Sequence, residues 1–113
     1  MHELSLVMGV IKIAEEEMRK HQATVIEDID IEIGVLSGVE MSAFDFAWEQ
    51  AVKGTSLANA KRNIIVVEGE GICQDCDQSF SMTAFYDACP HCHQHLIYVN
   101  KGKEFRVKTL TVS

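Results

Sequence analysis

Two tetrapeptides, "CQDC" at residues 73–76 and "CPHC" at residues 89–92, hold all four cysteines of the chain, with the twelve residues 77–88 between them. No other feature constrains the fold as tightly. A C-x-x-C unit sets two thiols on one tight knuckle, and two knuckles facing each other across a short hairpin complete the tetrahedral sulfur shell that zinc accepts. The intervening "DQSFSMTAFYDA" has the length for such a hairpin, and Phe80 and Met82 have its alternation. The gap is slightly shorter than the roughly 15–20 residues commonest in zinc ribbons. Four thiolates leave no open position, so the expected ion is a structural Zn2+ on Cys73, Cys76, Cys89 and Cys92.

Other uses of four thiols fit the residues less well. Two disulfides need an oxidising compartment, but the start of the chain has no basic segment and Glu3 stands where an apolar signal region would begin. No apolar run reaches membrane-spanning length, so no membrane partner is expected and the expected location is cytoplasmic. A redox pair needs one C-x-x-C, not two. A rubredoxin-like iron centre shares C-P-x-C, yet Asp77 and His93 follow the knuckles where that centre calls for glycine. His91, His93 and His95 read as exposed polar residues beside the second knuckle; the sharper alternative is replacement of a thiolate, or a second metal.

The remaining sequence has ordinary globular patterning. Leu4, Val7, Met8, Ile11, Ala14 and Met18 recur at spacings of three and four, which predicts an amphipathic helix to about His21. In "VIEDIDIEIGVL", Ile29, Ile31, Ile33 and Val35 alternate with acidic residues, as in a half-buried strand. Ser37 followed by Glu40 has the form of a capping box ahead of a second helix through Met41, Phe44, Ala47, Trp48, Ala51 and Val52, ending at Gly54. "IIVVEGEGI" and "EFRVKTLTV" read as strands, the last with a shift of phase near Lys108. The expected fold is therefore α+β: two helices on a three-stranded sheet, with a zinc-ribbon module inserted between the last two strands. Residues 1–70 plus 101–113 would form the α/β domain and residues 71–100 the zinc-binding domain, too small for a core of its own and dependent on its metal.

Charge narrows the function classes. A net charge of −7 repels phosphate backbones and anionic surfaces, which argues against a nucleic-acid partner. The chain lacks a phosphate-cradling glycine loop and the length for a large catalytic pocket, so no enzyme is expected.

The opening "MHE" is an ordinary start for a chain, but its chemistry is specific. A bulky residue at position 2 keeps the initiator methionine in place. The α-amine of Met1, the His2 imidazole and the deprotonated backbone nitrogens of His2 and Glu3 then offer a square-planar four-nitrogen shell to a d⁸ cation. Two amide anions neutralise a divalent ion, which suits the positive end of the first helix. A carboxylate from Glu3 or Glu40 would add a fifth ligand or hold the site from outside; for Glu40 the alternative is helix capping.

Taken together, "MHELSL", the amphipathic first helix, "IEIGVLSGVE", "CQDC" and "CPHC" resemble the HypA/HybF family of hydrogenase nickel-incorporation proteins, over nearly the whole chain. The resemblance implies a nickel metallochaperone that hands Ni2+ to the large subunit of [NiFe]-hydrogenase together with a HypB-type GTPase. It implies nickel on Met1, His2 and Glu3 and zinc on the four cysteines. A carboxylate implicated near the nickel is an aspartate in some members, and the matching position here holds Glu40. The alternative function is a zinc-ribbon module for protein interaction or nucleic-acid binding, for which only Lys101, Lys103, Arg106 and Lys108 supply positive charge near the ribbon.

Overall fold

A computed structural model describes residues 2–113. Helix α1 (Glu3–Lys20) buries Val7, Val10, Ile11, Ala14 and Met18 on one stripe. Leu4 and Met8 are 56% and 55% exposed, although the apolar periodicity places them on that stripe. The stripe is centred on Val7, Ala14 and Met18, and at about 100° per residue Met8 falls beyond its edge, whereas Leu4 lies as near the centre as buried Val10 and is exposed in the first turn of the helix.

Strand β1 (Ile26–Gly34) buries Ile29, Ile31 and Ile33 as its alternation demands, but Glu32 and Gly34 are buried too. That double coverage follows from its place: it is the middle strand of a sheet ordered β2-β1-β6, with β2 at Lys61–Val67 and β6 at Phe105–Val112. Val25 and Ser113 exchange backbone bonds at one end of the β1–β6 pair and Gly34 donates to Glu104 at the other, so these strands run antiparallel. Asp30 meets Asn63 and Val35 donates to Val67, so β2 runs in the same direction as β1. A parallel pair needs a crossover, which α2 (Met41–Ala51) provides. Val35 lies just past the strand end and is exposed. In β6 the alternation resets between Lys108 and Thr109, both exposed.

The start of α2 differs from the capping box expected of Ser37 and Glu40. Glu40 is itself the N-cap: its carboxylate accepts from the backbone N–H groups of Ser42 at 3.3 Å and Ala43 at 2.8 Å and from the Ser42 hydroxyl at 2.6 Å. A glutamate side chain is long enough to reach over the first turn from the cap position, so no upstream hydroxyl is needed. The helix buries Phe44, Ala47 and Trp48. Arg62 of β2 lies over both rings, 5.8 Å from Phe44 and 5.3 Å from Trp48, and pairs with Asp45 at 2.8 Å.

The stretch "IIVVEGEGI" does not form one strand. Only Glu68 separates β2 from β3 (Gly69–Cys73), which enters a second sheet, ordered β4-β3-β5, with β4 at Ser79–Met82 and β5 at Ile97–Lys101. Both pairings are antiparallel, setting Gly71 opposite Phe80 and Val99. The second sheet is thus inserted in sequence between the last two strands of the first, and the α+β class with two helices and an inserted ribbon holds.

The chain gathers into two compact units, one of residues up to Ile31, 39–64 and 107–113, the other of residues 32–38 and 65–106. The first is packed around Phe44, Ile29, Ile31, Leu57, Val7 and Val10, all fully buried. In the second, three glycines bring backbone against backbone. Gly102 has φ +112°, and a Cβ there would lie 2.8 Å from the Gly69 Cα and 3.1 Å from the Leu36 side chain. A Cβ on Gly34 would overlap the Gly102 carbonyl. Buried Glu32 is neutralised by a hydrogen-bonded ion pair with Arg106.

Candidate metal centre

Each cysteine knuckle is built by the same short pattern, C-x-x-C-x-Q. In the first, the backbone N–H of Cys73 donates to the Gln78 carbonyl at 2.9 Å and that of Asp77 donates back to the Cys73 carbonyl at 2.9 Å. In the second, Cys89 donates to Gln94 at 2.9 Å and His93 donates to Cys89 at 2.8 Å. Closing each turn requires a left-handed residue, and Asp77 (φ 61°) and His93 (φ 66°) take that conformation. Asp and His tolerate it better than most side chains, so these are the positions a rubredoxin-like knuckle would give to glycine, filled otherwise. The role of Asp77 and His93 as turn formers, and of the Gln78 and Gln94 carbonyls, is legible in the sequence only as the repeat CQDCDQ and CPHCHQ.

The two knuckles meet. Cys73 Sγ lies 3.5 Å from Cys92 Sγ and Cys76 Sγ 3.6 Å from Cys89 Sγ, and all four sulfurs lie within 4.8 Å of one another. Thiolates about 2.3 Å from a tetrahedral zinc are roughly 3.8 Å apart, so the cluster has the span of a four-sulfur shell. Cys73 and Cys89 are fully buried, while Cys76 and Cys92 are partly exposed. The thiols also compete for protons. The Gln78 N–H draws the Cys76 pKa down, but desolvation and the Cys89, Cys73 and Cys92 sulfurs outweigh it and push the pKa up to about 12. Desolvation raises Cys89, yet hydrogen bonds from the Cys92 and His91 backbone, and from neighbouring thiols, bring it down to about 7. Four sulfurs this close cannot all ionise alone; a dication in their midst replaces the shared protons and lets every one act as a thiolate. His91, His93 and His95 are exposed and stand outside this cluster, which is the one such grouping of metal-binding side chains among the described residues.

The amino-terminal residues form a second, different constellation. Met1 lies outside the described residues. His2 is the N-cap of α1, exposed, with φ −96° and ψ 94°, and its imidazole makes no capping bond. Its carbonyl accepts the Leu6 N–H at 3.3 Å, the first bond of the helix. The N–H groups of His2 and Glu3 precede that ladder, among the amides that a helix N-terminus leaves without an intrahelical acceptor. The Glu3 carboxylate accepts the backbone N–H of Glu40 at 3.2 Å, so α1 and α2 are tied at their N-termini and Glu40 stands beside Glu3. Hydrogen bonds from the Ser42 hydroxyl, then from the Ala43 and Ser42 backbone, hold the Glu40 carboxyl below its ordinary 4.5.

A family model described as "Hydrogenase/urease nickel incorporation, metallochaperone, hypA" matches residues 1–112. The chain belongs to the HypA family. Among similar curated proteins, the hydrogenase maturation factor HypA of Parabacteroides distasonis is 42% identical over 99% of this chain and 97% of its own. That of Dechloromonas aromatica is 38% identical over 99% of each. Among solved structures, the solution structure of the Ni metallochaperone HypA from Helicobacter pylori is 32% identical with a TM-score of 0.69, covering 99% of this chain and 97% of that one. A second HypA solution structure gives 31% identity and a TM-score of 0.71 over 100% and 97%. HypA proteins are maturation factors that handle metal and are not catalytic enzymes, which accords with a closed four-sulfur site rather than an open one. No helix among the described residues is long and apolar enough to cross a membrane.

Proposed function

We propose that this HypA-family chain carries Ni2+ at its amino terminus, on Met1, His2 and Glu3, and releases it to a nickel-enzyme precursor, while Zn2+ on Cys73, Cys76, Cys89 and Cys92 folds a separate zinc-binding module at residues 71–100. The observation that carries the nickel site is the uncommitted state of His2 at the helix N-cap. Its imidazole is exposed, and the amides of His2 and Glu3 can give up their protons without breaking a helical hydrogen bond. The Glu40 N–H holds the Glu3 side chain, which keeps the ligand-bearing turn in place. Loading releases protons, so nickel affinity falls with pH, and reversible loading of this kind suits a carrier.

Delivery follows from the same chemistry. Planar nitrogen ligands are exchanged one at a time for those of an acceptor, which we take to be the large subunit of [NiFe]-hydrogenase. Nucleotide hydrolysis would come from a GTPase of the HypB type, since no phosphate-binding glycine loop occurs in this sequence. The decisive test is titration of zinc-loaded, untagged protein with Ni2+, repeated with an N-terminal extension and with His2→Ala. One Ni2+ per chain with a yellow d–d band, lost in both variants, is expected. Unchanged affinity in the extended protein excludes the amine as a ligand.

A further inference from the structure

Strand β6 ends the sheet ordered β2-β1-β6, so one side of its backbone has no strand partner among the described residues. Beside that edge, Ile13 and His21 of the α1 region and Val107, Lys108, Leu110 and Val112 of β6 line a groove of about 320 Å³. Ile13 is a large apolar side chain and is 47% exposed there. None of this groove takes part in either metal constellation.

We infer that the groove between α1 and the free edge of β6 receives an extended, acidic segment of another protein, added to the sheet as a fourth strand. An unpaired strand edge offers alternating N–H and C=O groups, which an extended peptide matches and a helix does not. A peptide laid along it turns every second side chain to one face, where the groove, near the lower limit of about 300 Å³ for small-molecule pockets, has room for a few aliphatic groups.

Charge selects the rest of the partner. Glu17, the one carboxylate at the groove, pairs with Lys20 at 3.3 Å, and the His21 Nε2 lies 3.6 Å away. Arg106 is taken by Glu32. Lys108 is exposed and has no ion-pair partner among the described residues, so the charge presented at this edge is positive although the whole chain carries −7, a field screened beyond about 8–10 Å in physiological salt. A second copy would set one Lys108-bearing edge against another, which like charge opposes, so the same lysine disfavours self-pairing and favours carboxylates.

The test is titration of full-length, zinc-loaded, isotope-labelled protein with the peptide acetyl-Glu-Val-Glu-Val-Glu-Val-amide and with its counterpart carrying Lys for Glu. Amide shifts confined to residues 107–113 and the second half of α1 are expected, with the acidic peptide bound about tenfold more tightly. Lys108→Glu, at an exposed position, reverses the preference, and Ile13→Ser weakens both peptides while leaving the helical signal intact. Equal affinity for the two peptides, or shifts centred elsewhere, overturns the proposal. So does protection of β6 that grows with protein concentration in the absence of peptide, which assigns the edge to a second copy.

Discussion

The two units of this chain are held by different forces. In the first, Phe44, Ile29, Ile31, Leu57, Val7 and Val10 are sealed from solvent and the order comes from burial of apolar surface. In the unit of residues 32–38 and 65–106, the side chains sealed as completely are Met82 and two thiols, Cys73 and Cys89, while Phe85, Tyr86, Leu96 and Tyr98 stand in solvent at 59–85% exposure. Ile33, Leu36 and Met82 are the large apolar side chains buried there, a smaller set than in the first unit. With less apolar burial around the four sulfurs, the second unit is expected to depend on a metal for its order and the first is not.

The largest effect expected is therefore from Cys89→Ser or zinc chelation. Either should make residues 71–100 protease-sensitive while the far-UV helical signal of α1 and α2 persists. A cooperative loss of both would break the distinction. Next in size, Phe44→Ala should cost about 3–5 kcal/mol in the first unit through cavity formation, read by denaturant unfolding, with zinc content unchanged at one per chain. Gly34→Ala should cost about 1–3 kcal/mol or more, because the Gly102 backbone stands where the new methyl would go. Its effect should be seen in exchange of the amides of residues 32–38 and 99–104.

The smallest effect concerns Glu40. Its pKa is lowered in the folded chain, so its contribution is complete above the ordinary value of 4.5 and is lost as pH falls through the lower folded value. Glu40→Gln should lower the melting temperature of the first unit slightly at neutral pH, and the difference from the wild type should vanish as pH falls below the folded value.

The sequence was read most faithfully where one force dominates a short stretch. The C-x-x-C spacing is set by covalent reach, so the meeting of four sulfurs was legible, and Ile29, Ile31 and Ile33 follow strand alternation because one face of β1 is uniformly buried. Periodicity misplaced Leu4 and Met8, since apolarity says that a residue prefers burial and not which edge of the helix finds a neighbour. It also joined β2 to β3, because nothing in "IIVVEGEGI" announces that the chain changes sheet at Glu68; the close approach that permits it depends on Gly69, Gly102 and Gly34, far apart in sequence. The Glu3–Glu40 bond joins residues far apart in sequence and is beyond local reading for the same reason, whereas the capping role of Glu40 is local and legible.

The proposed carrier holds two metals in two places with separate causes. Native mass spectrometry of the wild-type chain, Cys89→Ser and His2→Ala, each exposed to equimolar Zn2+ and Ni2+, tests this directly. The expected result is one zinc and one nickel in the wild type, nickel alone in Cys89→Ser, and zinc alone in His2→Ala. Loss of both metals from either variant, or nickel retained by His2→Ala, would contradict it.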